Sequence, residues 1–162
     1  MTPADDPQPA SFPVVGIGAS AGGLEACVAL LRALPAHTGM AFVVIQHLDP
    51  TYDSQLRELL SRSTEMAVVD AADGMVLAPD QLAVIRPNTS LAMGPGHTLR
   101  VTPRPPAHGP HLPVDHFFKS LAQQLGHVAV GVVLSGTGSD GTLGLEACVA
   151  LLRALPAHTG MA

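Results

Sequence analysis

Hydrophobic residues gather in three short unbroken runs, "FPVVGIG" (12–18), "AFVVIQH" (41–47) and "HVAVGVVLS" (127–135). Runs this short, rich in Val and Ile and without polar alternation, predict strands buried on both faces, as in a parallel sheet. A different period follows each of the first two. Leu24, Cys27, Val28, Leu31 and Leu34 share one helical face that stops at Pro35, and Leu56, Leu59 and Leu60 repeat the pattern behind Asp53 or Ser54 as a cap. Strand, helix, strand, helix is the βαβ signature. Four shorter candidates follow, "MAVVDA", "QLAVIRP", "SLAMG" and "TLRVT", the last two joined through Gly94-Pro95-Gly96 into a hairpin. These predict an antiparallel extension. After the Pro-rich connector 103–113, Val114, Phe117, Phe118, Leu121 and Leu125 form a helical stripe that ends at Gly126. The fold class expected is α/β: an open, mostly parallel, doubly wound sheet with an antiparallel hairpin extension.

Two features of organisation qualify that picture. Residues 1–11 have no apolar period and read as a disordered leader. Residues 144–162 repeat 23–41 letter for letter, without the drift or the fixed spacing of a repeat architecture, so they read as a recent duplication or an artefact. That leaves residues 12–143 as the domain, with the strand that would follow its last helix missing.

Composition narrows the function. A chain of 162 residues with 47% hydrophobic residues can fill one core. The net charge of −5, with 8 Lys plus Arg and no basic cluster, offers nothing to neutralise a row of phosphates, which argues against nucleic acid. No apolar run approaches the roughly 20 residues that span a bilayer, and the start of the chain lacks the basic and apolar regions of a signal peptide. Membrane insertion is not expected, and a cytoplasmic location is. Cys27 and Cys148 each fall within a helical pattern and read as small buried hydrophobes. No histidine pair has ligand spacing, so no metal is expected.

The chemistry concentrates at the ends of the three long runs. "VVGIGASAGGLEA" contains both a G-x-G-x-x-A dinucleotide-type turn (Gly16, Gly18, Ala21) and a G-x-S-x-G nucleophile-type turn (Gly18, Ser20, Gly22). A nucleotide site would want an acidic residue at the end of the second strand, and His47 stands there instead. Ligands of open α/β sheets bind beyond the carboxyl ends of the strands. Ser20, His47 and Asp140 follow three such ends. A hydroxyl, a base to take its proton and a carboxylate to orient the base are the parts of an acyl-transfer triad. Each residue taken alone also has an ordinary role, Ser20 as a helix cap, His47 as a core imidazole and Asp140 as a turn residue. Their order, with His before Asp, differs from that of the α/β-hydrolases.

The blocks "VVGIGASAGGLEA", "FVVIQHLDP", "LPVDHFFKSLA" and "GVVLSGTGSDGTLGL" resemble the catalytic domain of chemotaxis protein-glutamate methylesterases of the CheB type, as found fused to receptor methyltransferases. The resemblance implies a serine esterase acting on glutamyl γ-methyl esters of chemoreceptors, in some members also a glutamine deamidase, and so a part in signal transduction. It implies Ser20 as nucleophile, His47 as base and Asp140 as the orienting carboxylate, with backbone N–H groups near Ala21, Gly22, Thr137 and Gly138 meeting the oxyanion. The partners it implies are methylated receptor helices and a fused or associated methyltransferase. Family members often carry Thr after the nucleophile and Met in the Asp loop, where this chain has Ala21 and Thr137. The altered tail keeps a second reading open, a truncated and inactive module that docks on receptors.

Overall fold

A computed structural model of the chain describes residues 11–19, 23–46, 55–106 and 112–134. The first long run forms strand β1 (Val14–Ala19), the second β2 (Ala41–Gln46) and the third β7 (Ala129–Leu134). Between them lie helix α1 (Leu24–Ala33), helix α2 (Gln55–Ser61), strands β3 (Ala67–Asp70), β4 (Gln81–Val84), β5 (Thr89–Met93) and β6 (Leu99–Pro103), and helix α3 (Pro113–Leu125). Five strands make one sheet in the order β3-β4-β2-β1-β7, and every pairing in it is parallel. β5 and β6 pair antiparallel as a separate hairpin.

One expectation is corrected here. Only two of the four short candidates are antiparallel, because β3 and β4 join the parallel sheet beside β2. The crossover that makes this work contains no helix. Residues 71–80 carry the chain across the sheet, burying Ala71 and Leu77, and hydrogen-bond to the hairpin through Leu77 N to His97 O, Leu99 N to Met75 O and Gly74 N to Leu99 O. Without a helical period in the connection, the sequence pattern of a βαβ unit is lost.

Alternation along β1 and β2 assigns the two faces. Val15, Ile17, Phe42 and Val44 point to one side, where Cys27 and Leu31 of α1 and Leu60 of α2 cover them. Val14, Val43 and Ile45 point to the other, beneath Val114, Phe117, Phe118 and Leu121 of α3 and Leu91, Met93 and Leu99 of the hairpin. Helices on both faces explain why the strands read as unbroken apolar runs. The predicted stripe of α3 is the buried one, and the helix stops at Gly126 in the left-handed region, φ 53°. α2 is attached more thinly, with Leu60 buried and Leu59 exposed.

The amino edge of the sheet is tied by polar contacts. Asp80, at φ 61° before β4, accepts the backbone N–H of Thr38 at 2.8 Å and of Gly39 at 2.9 Å, with the His37 ring 3.6 Å away. The Gly39 N–H foremost, then the Thr38 N–H and the His37 ring, holds the Asp80 carboxyl below its ordinary range in spite of some desolvation. His97, buried in the hairpin turn at φ 60°, places Nε2 3.1 Å from Phe12 O and its ring 4.1 Å from the Phe12 ring. This pins the approach to β1. The leader up to residue 10 and the duplicate 144–162 lie outside the described residues.

Candidate active site

β1, β2 and β7 are neighbours, and their last residues are in register. Ala19 is opposite Gln46 on one side and Leu134 on the other. Adjacent strands lie about 4.8 Å apart, so three chains leave the carboxyl edge within roughly 10 Å. The next residues in sequence are Ser20, His47 and the segment Ser135–Asp140. Those three candidates, and Ala21, Gly22, Thr137 and Gly138 with them, lie outside the described residues. What the fold brings together is the set of strand ends from which all of them depart, on an edge where α/β sheets bind ligands.

The glycines of the first block have a different use from the one a dinucleotide motif would give them. Gly16 and Gly18 belong to β1 itself and not to the turn after it, and neither has a positive φ. A Cβ on Gly16 would stand 2.9 Å from Phe118 Cε1 and 3.2 Å from Phe117 Cε1, and one on Gly18 would overlap Val114 Cγ1. They are small so that α3 can lie against the strand. The G-x-G spacing therefore records helix packing, and the nucleotide reading loses its first anchor as well as its second.

The N-cap position of α1 is Gly23, which makes no side-chain cap bond, and Glu25 in the first turn is the acidic residue that suits that helix end.

α3 contributes to the same edge. Phe118 lies over Gly16 and Val114 over Gly18, so the helix runs antiparallel to β1 and its first turn reaches the carboxyl end. Asp115 in that turn is 3% exposed, one of three polar residues buried among those described, with Ser63 and His97. The sequence reading passed over it, because an acid in the first turn of a helix is ordinary. The available signal was its spacing, since Asp115, Phe118 and Ala122 fall at i, i+3 and i+7 on one flank.

Other groups are accounted for structurally. Cys27 is buried on the sheet-facing side of α1, and burial pushes its thiol up to about 11, so it packs as an inert hydrophobe. Cys148 lies outside the described residues. Among the described residues no three His, Cys, Asp or Glu side chains cluster as metal ligands, and no helix is long and apolar enough to cross a membrane.

Comparison with known proteins adds an independent line. The model of the CheB methylesterase family matches residues 15–154, a span that takes in the first part of the duplicated segment. A protein-glutamate methylesterase/protein-glutamine glutaminase of Burkholderia lata is 40% identical over 148 residues, covering 91% of this chain and 43% of its own length. Another from Burkholderia orbicola is 42% identical over 135 residues, covering 83% of this chain and 40% of its own. The chain thus spans about two fifths of the length of these relatives. The crystal structure of the Thermotoga maritima CheB methylesterase catalytic domain superposes with a TM-score of 0.78 at 24% identity, covering 87% of this chain and 76% of that one, and so shares its fold. With the family match running over most of its length, this chain belongs to the CheB methylesterase family.

Proposed function

We propose that the chain is a serine esterase domain that hydrolyses glutamyl γ-methyl esters on chemoreceptors, using Ser20, His47 and Asp140. The observation that carries the reading is the register of β1, β2 and β7, which ends three strands side by side where a hydroxyl and an imidazole come next in sequence and a carboxylate follows six residues after the third. Membership of the family and the names of its relatives supply the substrate class.

In this reading His47 takes the Ser20 proton as Oγ attacks the ester carbonyl, and Asp140 fixes the tautomer of His47 and stabilises the imidazolium. The tetrahedral oxyanion is met by backbone N–H groups, those of Ala21 or Gly22 and of the loop at Thr137 and Gly138. Each such donor is worth about 10²- to 10³-fold in rate. The C–O bond to methoxide breaks as His47 protonates it, methanol leaves, and water activated by His47 hydrolyses the acyl-enzyme. Ammonia leaving in place of methanol would give deamidation of receptor glutamines by the same route. No step calls for a cofactor. Receptor helices are then the partner, met in the cytoplasm, and a methyltransferase fused or associated with the domain would supply the ester.

Methanol release from a methylated receptor tests the reading. Wild type should turn over, and Ser20→Ala should lose roughly 10⁴-fold or more in kcat. Turnover that survives the substitution would rule Ser20 out as nucleophile. Receptor binding by a wild-type chain that releases no methanol would favour the inactive docking module instead.

A further inference from the structure

We propose that Arg86 selects the substrate, its guanidinium meeting a free carboxylate one or two helical turns from the methyl ester on the same receptor helix. The inference deepens the esterase reading above and rests on it.

Register gives the position of Arg86. Val44 is opposite Val84, and the ladder continues past the end of β4 through the bond from Ile85 N to Val44 O. Extending it by two residues sets Arg86 abreast of Gln46, which is itself abreast of Ala19. Two strand spacings thus separate Arg86 from the end of β1 by about 10 Å, along the carboxyl edge. Val84 packs in the core under α1 and α2 and Ile85 in the core under α3, so alternation directs Arg86 to the α1 and α2 side. The backbone that carries it is held. Pro87 and then Asn88, at φ 59°, make the turn toward β5, Thr89 Oγ1 donates to Arg86 O at 2.7 Å, and Arg104 N donates to Asn88 O at 2.8 Å.

Charge says what this side chain meets. Nearby on the same side, Arg57 in the first turn of α2 lies 3.5 Å from Asp70, the last residue of β3, and its charge is offset there. Arg86 is exposed, and among the described residues no carboxylate lies within ion-pair distance of it. A guanidinium is a planar fork of donors matched to a carboxylate, which it can hold by two hydrogen bonds. The reaction itself makes such a group, since each ester hydrolysed leaves a glutamate carboxylate on the receptor. On an α-helix, residues four and seven places apart share a face and lie about 6 and 10.5 Å apart along the axis. Those spans suit a cation about 10 Å from the strand end that leads to the nucleophile. Glutamates already demethylated then favour hydrolysis of the esters beside them.

Two versions of a helical receptor fragment test this, each with one glutamyl γ-methyl ester. In one, the positions four and seven residues to either side of the ester are Glu, and in the other they are Ala. Methanol release gives kcat and KM, and thermal melting checks the fold of each variant. Wild type should prefer the Glu fragment by about 3- to 10-fold in kcat/KM, chiefly through KM, as expected for a solvent-exposed but charge-assisted pair. The preference should shrink as salt is raised to about 0.5 M. Arg86→Gln should treat the two fragments alike, and Arg86→Lys, which keeps the charge, should retain part of the preference. Arg57→Gln removes an equal charge from the same edge and should leave the preference intact. Equal hydrolysis of the two fragments by wild type, a comparison that needs no variant to fold, overturns the inference and leaves the esterase reading standing. A preference that survives in Arg86→Gln overturns it as well, and so does an equal loss in Arg57→Gln, by making the effect one of overall charge. A wild-type chain that releases methanol from neither fragment ends the esterase reading and this inference together.

Discussion

Gly18 shows how much one missing methyl group decides. The space where its Cβ would stand is filled by Val114, so Gly18→Ala has to move α3 or the strand. Overpacking of this kind costs about 1–3 kcal/mol, which a urea titration would read as a lower midpoint at unchanged slope. Trimming Val114 to Ala in the same chain should recover part of that loss, because the two atoms compete for one volume. Asp80 makes a different residue-scale prediction. Its folded carboxyl titrates below the unfolded value, so its contribution is present above the ordinary aspartate range and disappears as pH falls through the depressed pKa. Asp80→Asn, which tolerates the same left-handed backbone, should melt lower than wild type at pH 7 and converge with it in acid. A difference between the two that stayed constant down to pH 2 would show that the charge is not the source.

At the scale of elements, α3 joins more of the fold than either of the other described helices, α1 and α2. It covers β1 through Val114, Phe117 and Phe118 and is fastened to the hairpin by Ser120, whose hydroxyl accepts from Met93 N and donates to Phe117 O at 2.7 Å. Ser120→Ala leaves the Met93 N–H without that acceptor, and the expected cost is about 1 kcal/mol. Hydrogen exchange should register it as faster exchange at Met93 with little change in β1. The helix was legible in sequence because its stripe and its terminal Gly126 agree with one period. β3 and β4 were legible as strands but not as parallel ones. Four-residue strands have too few positions to declare how many faces are buried, and the connection between them carries no helical period to announce a crossover.

For the molecule as a whole, two cores on opposite faces of one sheet must form together, and Cys27 reports on one of them. Its thiol, pushed up to about 11 by burial, should resist iodoacetamide at pH 8 in a Cys148→Ser chain until denaturant unfolds the domain. Alkylation at the rate of a free thiol in native buffer would mean that α1 opens locally without global unfolding. Leu31, fully buried on the same face of α1, gives the matching energetic test, and Leu31→Ala should cost about 2–5 kcal/mol in the denaturant midpoint.

The sequence by itself determined the three long strands, the helical faces of α1 and α3, and the polar residues that come next after each strand, because burial on both sides leaves an unbroken apolar run and a helix leaves its period. It also carried the family, through four blocks whose order and wording are specific. Tertiary structure decided which strands are neighbours and in what register, so that Ala19, Gln46 and Leu134 end abreast. It decided that Gly16 and Gly18 answer to α3 and not to a phosphate, and that an unremarked acid at position 115 is buried at the same edge. Those outcomes depend on contacts between residues far apart along the chain, and periodicity describes only what a segment offers, not what comes to lie against it.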